Sequence, residues 1–205
     1  MPGDRPTPAG LSSPRTLLFD IGGVVIENVM FDELQRLTQR ESQADLKAQW
    51  LRSPHARDFE LGELNADEFA NGIISEFHLD MAPAAFLAAF ARWPRDYFPG
   101  ALDLIARLRR THRVCALTNC NAIHWSERLQ TPFEQTFSSH LMGAIKPDPV
   151  VFEQVAEALQ TELSEILFFD DSLPNVAAAA RLGVQAYHTD GFAALQETVA
   201  RLYLT

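Results

Sequence analysis

The sequence has few cysteines, no excess of basic residues and no long apolar run. Its 205 residues include only Cys115 and Cys120, too few for a disulfide framework or a structural zinc site, so a reducing compartment is the simpler assumption. The net charge of -10 at pH 7 gives no general electrostatic reason to bind nucleic acid or an anionic membrane. No apolar stretch approaches the ~20 residues that span a bilayer. We therefore expect a cytoplasmic protein that binds neither.

The first segment of the chain lacks the marks of an export signal. Residues 1–15 contain four prolines and no hydrophobic signal region, which predicts a loose tail. The rest is long enough to form a main body with a modest insertion.

Residues 28–95 have the periodicity of helices. Apolar residues recur there at spacings of three and four, and no convincing strand is present. Asn65 followed by Asp67 and Glu68 is typical of a helix start, and Pro83 opens another helix. We predict that 28–95 is an all-helical cap inserted into an α/β core made of 16–27 and 96–205.

Strands alternate with helices in the core segments. After the first strand, from Thr16, the pattern predicts strands at 113–118, 137–142, 166–169 and 184–187. It predicts helices at 102–110, 122–130, 149–159, 173–182 and 192–202. This alternation indicates a mainly parallel sheet covered by helices on both faces.

Reactive side chains stand just beyond the apolar runs of the predicted sheet. They are Asp20, Thr118, Asn119, Asp170 and Asp171, joined by Lys146 at a loop-to-helix start. Parallel strands end at one edge, where ligands bind, so we expect these groups to surround one point. Clustered carboxylates repel one another unless a cation lies among them, which predicts a hard divalent ion such as Mg²⁺. Such a site would bind a phosphoryl group during in-line transfer. Alone, Asp20 could equally be a turn residue that accepts main-chain N–H groups.

Four segments resemble the ordered motifs of the haloacid dehalogenase (HAD) superfamily. They are 19–25, 117–119, 146–149 and 168–172 with Asn175. The ordered set is specific, although each motif alone is weak. A narrower resemblance is to the group that contains bacterial alpha-D-glucose-1-phosphate phosphatase and the phosphatase domain of soluble epoxide hydrolase. It is carried by the acidic pair Asp170–Asp171, by the Thr-Asn-x-Asn run at 118–121 and by Glu60–Leu64. The resemblance implies a Rossmann-like three-layer α/β/α core with a helical cap.

The resemblance also implies a role for each site residue. Asp20 would attack phosphorus and become an aspartyl-phosphate, while Lys146 would neutralise Asp20 and the transferring group. The phosphoryl oxygens would be held by Thr118, Asn119, Lys146 and the Gly22–Gly23 turn. Mg²⁺ would be ligated by Asp20, Asp171 and the main-chain carbonyl of Gly22. Asp170 would be a further ligand or a support, and Asn175 would orient its carboxylate.

Position 22 departs from the family pattern. Phosphatases of this family usually carry there a second Asp, the acid for the leaving group and then the base for water, and this chain has Gly22. A missing general acid typically costs ~10²–10⁴ in rate for a poor leaving group. A more acidic leaving group, such as the anomeric oxygen of a sugar 1-phosphate, would suffer less. We therefore hypothesise an Mg²⁺-dependent phosphomonoester hydrolase acting on a small phosphorylated metabolite, a sugar phosphate.

Two alternatives remain open at this point. A metal-independent 2-haloacid dehalogenase uses the same aspartate, but its usual fourth motif has Ser and Asn where this chain has Asp170 and Asp171. Its halide-binding arginine soon after the first motif is also absent here, since the first arginine after Asp20 is Arg36. A non-catalytic phosphate-binding relic would explain Gly22. Candidates for substrate contact from the cap or hinge are Arg57, Phe59, Glu60 and Trp93. After the second motif, His124 and Trp125 could line the pocket or pack in the core.

Overall fold

The structure is a computed structural model that describes residues 16–40 and 42–202, so the tail expected at 1–15 lies outside the described residues. The strands are β1 (Thr16–Phe19), β2 (Ile26–Asn28), β3 (Pro94–Tyr97), β4 (Arg113–Thr118), β5 (Thr136–Ser138), β6 (Ile166–Asp170) and β7 (Gln185–His188). The helices are α1 (Met30–Thr38), α2 (Gln43–Arg52), α3 (Pro54–Glu60), α4 (Ala66–Phe77), α5 (Pro83–Phe90), α6 (Ala101–Leu108), α7 (Glu127–Gln130), α8 (Ser139–Met142), α9 (Pro149–Leu159), α10 (Leu173–Arg181) and α11 (Gly191–Arg201).

The main sheet is parallel and places β1 at its centre. Its order is β5-β4-β1-β6-β7, and Phe19 at the end of β1 pairs with Ala116 of β4 and Phe169 of β6. The rings of Phe19 and Phe169 stack at 4.9 Å, so the neighbouring strands end side by side. The predicted α/β class with a mainly parallel sheet is confirmed.

Alternate residues of each strand enter two separate hydrophobic clusters. Leu17 and Phe19 pack into one cluster with members of α6 and α11. Leu18 packs into the other with members of α9 and α10. Because side chains of a strand alternate between faces, these clusters are the two helix-to-sheet interfaces of a three-layer core.

Helices α1 to α5 lie between β2 and β3 and bury a third cluster, rich in aromatic rings. Within it Phe59 and Phe69 stack at 4.1 Å, and Trp50 packs edge-on against Phe69. The helix start predicted at Asn65 is a capping box in which Asn65 and Glu68 bond each other's main-chain N–H. The cap bounds 28–95 stay a prediction. Among the described residues, no helix is both long and apolar enough to cross a membrane.

Three local predictions were wrong. Residues 139–142, predicted as strand, form α8, and β5 ends at Ser138. Only Glu127–Gln130 of the helix predicted at 122–130 is helical, because the Asn121 side chain accepts the N–H groups of Ile123 and His124 and forms a turn. No strand was expected near the end of the helical segment, but β3 begins at Pro94 and pairs antiparallel with β2 in a two-stranded ribbon.

Candidate active site

Asp20 stands at the end of the central strand, where a cavity opens. Its N–H donates to Phe169 O at 2.8 Å, which continues the β1–β6 pairing by one residue. The residue is only 8% exposed. Its carboxylate Oδ1 lies 2.9 Å from Lys146 Nζ, and among the described residues no main-chain N–H donates to it. The reading of Asp20 as a turn-capping aspartate is therefore wrong.

Lys146 is the buried cation of the site, with 3% exposure. Its ammonium contacts Asp20 Oδ1 at 2.9 Å, Asp170 Oδ2 at 2.7 Å and Leu117 O at 2.8 Å, which matches its three donor hydrogens. Burial alone would lower the pKa of Lys146, but the carboxylates of Asp170 and Asp20 raise it above its ordinary value. The lysine is therefore held charged and in one position.

Asn119 positions this lysine through the main chain. Its side-chain Nδ2 donates to Lys146 O at 3.0 Å, and Lys146 N donates to Asn119 Oδ1 at 3.0 Å. This paired contact joins the loop after β4 to the loop that carries Lys146. It uses the amide oxygen and one of the two Nδ2 hydrogens of Asn119, which leaves the second Nδ2 hydrogen and the main-chain N–H for the expected contact with phosphate.

Asp170 is fully buried, and donors surround its carboxylate. Oδ1 accepts from Ser172 N at 2.8 Å, Asn175 Nδ2 lies 3.0 and 3.1 Å from the two oxygens, and Oδ2 accepts from Lys146. A carboxylate with this many partners has little capacity left for a further ligand. The geometry favours Asp170 as the support that holds Lys146.

Asp171 faces the glycine turn. An added Cβ on Gly23 would lie 2.5 Å from Asp171 Oδ2, and Gly23 has φ +77°. Gly23 N already donates to Ile26 O at 2.8 Å. This N–H is therefore already used and does not serve the phosphate as expected, and Gly23 instead leaves room for the Asp171 carboxylate.

The three carboxylates form a cluster that suits a cation. One oxygen each from Asp20, Asp170 and Asp171 can be chosen so that all lie within 4.8 Å of one another. Burial raises the pKa of Asp20 to about 7, with Lys146 opposing and the two other carboxylates adding to the rise. Burial and the charge of Asp170 also raise the pKa of Asp171. One lysine does not balance three carboxylates, so the donor set fits a hard divalent ion with oxygen ligands.

A cavity of about 460 Å³ opens over this cluster, between sheet edge and cap. On the sheet side, Asp20, Gly22, Thr118 and Asp171 line it, and the Thr118 hydroxyl has no hydrogen-bond partner within the described ranges. On the cap side the lining includes Lys47, Trp50, Arg57, Glu60, Phe90 and Trp93.

Some of the residues expected to contact substrate line the cavity, and the others pack in the interior. Arg57, Glu60 and Trp93 line the cavity, whereas Phe59 is 3% exposed in the cap cluster. His124 lines it, and Trp125 packs against the core and the His140 ring. Trp50 and Phe90 were missed, because an aromatic residue at helical spacing reads the same whether it packs or borders a cavity.

A family model for "haloacid dehalogenase-like hydrolase" matches residues 14–183. The chain belongs to the HAD-like hydrolases. This confirms the resemblance at the level of the superfamily, while the narrower group stays a prediction.

HAD-like relatives of the chain include named phosphatases. A phosphatase of Mycobacterium tuberculosis is 33% identical over 153 residues, which cover 71% of this chain and 63% of that protein. D-ribitol-5-phosphate phosphatase of Bacteroides thetaiotaomicron is 24% identical over 193 residues, covering 86% and 92%. A HAD family enzyme of the same bacterium, solved with magnesium and inorganic phosphate, superposes with a TM-score of 0.69 at 26% identity, covering 88% of this chain and 94% of that one.

Proposed function

We propose that this HAD-like hydrolase cleaves phosphate monoesters of small metabolites with Mg²⁺, through an aspartyl-phosphate on Asp20. The observation that carries the proposal is the juxtaposition of Asp20, Asp170 and Asp171 within 4.8 Å beside the buried Lys146. Asp20 combines a position at the cavity with an ion pair that orients its carboxylate. A nucleophile (Asp20), a cation that can stabilise the phosphoryl charge (Lys146) and a set of metal-binding carboxylates thus meet at one sheet edge.

The residues that would hold Mg²⁺ are Asp20, Asp171 and the main-chain carbonyl of Gly22. When bound, the ion offsets the charge of the carboxylates and of the phosphoryl group that approaches them. Asp170 would contribute indirectly, since its oxygens are already engaged by Lys146, Ser172 and Asn175.

The protein side chains divide the remaining work. Lys146 binds Asp20 Oδ1, which leaves Oδ2 to attack phosphorus while the ammonium stabilises the charge of the transferring group. The Thr118 hydroxyl and the main-chain N–H of Asn119 would donate to phosphoryl oxygens. The burial of Asp20 and Lys146 strengthens these interactions, because nearby water is limited.

A sugar or polyol phosphate is the substrate class we propose. The cavity of about 460 Å³ lies within the range of small-molecule sites. Polar groups of Asn28 and Arg57 line it among aromatic side chains, which offers partners for hydroxyl groups. The name of the ribitol-phosphate phosphatase relative supports the same class.

The acidic cluster argues against a metal-independent dehalogenase. Three carboxylates around one ammonium would repel a 2-haloacid, which is itself a carboxylate.

The test is hydrolysis of a panel of sugar and polyol phosphates, assayed with Mg²⁺ and with EDTA. We expect turnover with Mg²⁺, loss in EDTA and loss in Asp20→Asn, while Asp103→Asn, an exposed carboxylate on α6, behaves like the wild type. Beryllium fluoride should form an Mg²⁺-dependent adduct on Asp20. Phosphate release no greater than that of Asp20→Asn would refute catalysis, and halide release from 2-chloropropionate in EDTA would favour the dehalogenase.

A further inference from the structure

Gly22 leaves the sheet side of the site without the usual proton donor, and a cap carboxylate faces the same cavity. We propose that Glu60 is the general acid and base of this enzyme, acting on the leaving-group oxygen from the cap side of the cavity that holds Asp20 and Lys146. This inference rests on the proposed phosphatase function.

Glu60 is held against the core by its main chain. It is the last residue of α3, and its carbonyl accepts a hydrogen bond of 2.5 Å from the hydroxyl of Ser139, a residue that is 1% exposed. The same hydroxyl lies 3.0 Å from Cys120 O, in the loop that follows Thr118 and Asn119. The main chain that carries the Glu60 carboxylate is thereby tied to the loop after β4.

Gly62 keeps this cap loop close to the core. An added Cβ there would lie 2.7 Å from His140 O, and its φ is +79°. Arg57, one turn before Glu60, pairs with Asp148 across the same gap at 2.6 Å. Contacts on both sides of Glu60 thus fix the end of α3 over the sheet edge.

The surroundings of Glu60 suit a group that exchanges a proton near neutral pH. Burial raises the pKa of Glu60 to about 7, opposed by the charge of Lys146, by the Trp50 indole N–H and by Arg57. A general acid is most effective when its pKa lies near the working pH. The other titratable groups of the cavity wall are Asp20, Glu27, Lys47, Cys120, His124 and Asp171.

None of those other groups is as well suited to donate a proton. The His124 Nε2 lies 2.8 Å from Phe90 O, and burial lowers the pKa of the ring. Burial raises the pKa of the Cys120 thiol to about 12. Glu27 on β2 and Lys47 on α2 are exposed, and Asp20 and Asp171 serve the nucleophilic and metal roles. Two carboxylates of the cavity wall have no other role in the proposed mechanism, Glu27 and Glu60, and Glu60 is the less exposed of the two.

The cap side of the cavity also has an unpaired buried donor. Trp93 lines the cavity with 2% exposure, and its indole N–H has no hydrogen-bond partner within the described ranges. Buried donors are normally satisfied, so this N–H is a polar group on the cap side that the described residues leave unpaired.

Glu60 gives up one proton in the first step of the reaction and regains one in the second. As the Asp20 oxygen bonds to phosphorus and the ester P–O bond breaks, the Glu60 carboxylic acid gives its proton to the ester oxygen and the alcohol leaves. Water then attacks phosphorus of the aspartyl-phosphate and gives one proton to the Glu60 carboxylate. The bond between phosphorus and Asp20 breaks, which releases inorganic phosphate and restores both side chains.

The test compares Glu60→Gln with Glu63→Gln, an exposed carboxylate three residues further along. We expect Glu60→Gln to lower kcat/KM by ~10²–10⁴ for a sugar phosphate with a primary alkyl ester. With p-nitrophenyl phosphate, whose leaving group needs no proton, the loss should stay within a few-fold. The wild-type kcat/KM for the alkyl ester should fall above about pH 7, where Glu60 ionises, and this limb should vanish in Glu60→Gln. Glu63→Gln should match the wild type on both substrates.

A retained beryllium fluoride adduct on Asp20 in Glu60→Gln would show that fold and nucleophile are intact. Equal losses of kcat/KM on both substrates, or no loss of kcat/KM on either, would overturn the role of Glu60 while the phosphatase function stands. Absence of any turnover by the wild type would instead overturn the proposed function, and this inference with it.

Discussion

Replacing Gly23 by alanine would separate two reasons for a glycine in the turn after Asp20. Its φ of +77° disfavours any residue with a Cβ, at ~1–2 kcal/mol. The new methyl group would also lie 2.5 Å from Asp171 Oδ2, too close for a real contact, so the carboxylate must move. Gly183 is the matched control, because its φ is +89° and a Cβ there would meet nothing within 4 Å.

Both variants should lose ~1–2 kcal/mol of unfolding free energy, or ~2–8 °C in Tm for a chain of this size. Only Gly23→Ala should also bind Mg²⁺ more weakly, by ~10–100-fold, the range found when the support of a metal ligand is lost. Urea unfolding in EDTA measures the first quantity, and calorimetric titration with Mg²⁺ measures the second. Equal Mg²⁺ affinities in the two variants would refute the assignment of Asp171 as a ligand held in place by Gly23.

Three further predictions concern the buried polar network and the thiols. Lys146→Met should lower the unfolding free energy in EDTA by ~3–5 kcal/mol, because it leaves the buried Asp170 carboxylate without its cation. Asn175→Ala should cost ~1–3 kcal/mol, since the ammonium remains, and urea midpoints that reverse this order would contradict the ranking. Burial raises the pKa of Cys115 to about 11 and of Cys120 to about 12, so both thiols should react with Ellman's reagent at pH 8 only on unfolding. Because the unfolded thiols ionise first, stability should fall as the pH rises from about 9 towards 12, which urea midpoints at pH 8 and 10 would detect.

The meeting of the site residues could be foreseen because it follows from topology. Asp20, Thr118 and Asp170 each come at the end of an apolar strand, and parallel strands end at one edge. The partners of neighbouring groups could not be foreseen in the same way. The Asn119 amide binds the main chain of Lys146, 27 residues away, and the Gly23 N–H is used inside its own turn. Such choices depend on which acceptor the folded chain presents across a loop.

The errors in secondary structure have local causes. β2 has three residues and β3 has four, so neither is long enough to show a period of two. At 139–142 the buried Ser139 hydroxyl bonds to main-chain carbonyls of two other segments, a tertiary contact that overrides the weak preference of four residues. Cavity-facing aromatic residues such as Trp50 were hidden for a similar reason, because one side of the indole packs in the cap cluster.

The helices between β2 and β3 bury an aromatic cluster whose fully buried members are separate from those of the two sheet clusters. The chain enters and leaves this segment through a single ribbon of paired strands. On the proposed function, we expect substitutions around Trp50 and Phe90 to change substrate preference without repacking the layers that hold Asp20 and Lys146. In protein engineering the segment can serve as a replaceable cassette, exchanged at the ribbon between relatives with different substrate preferences.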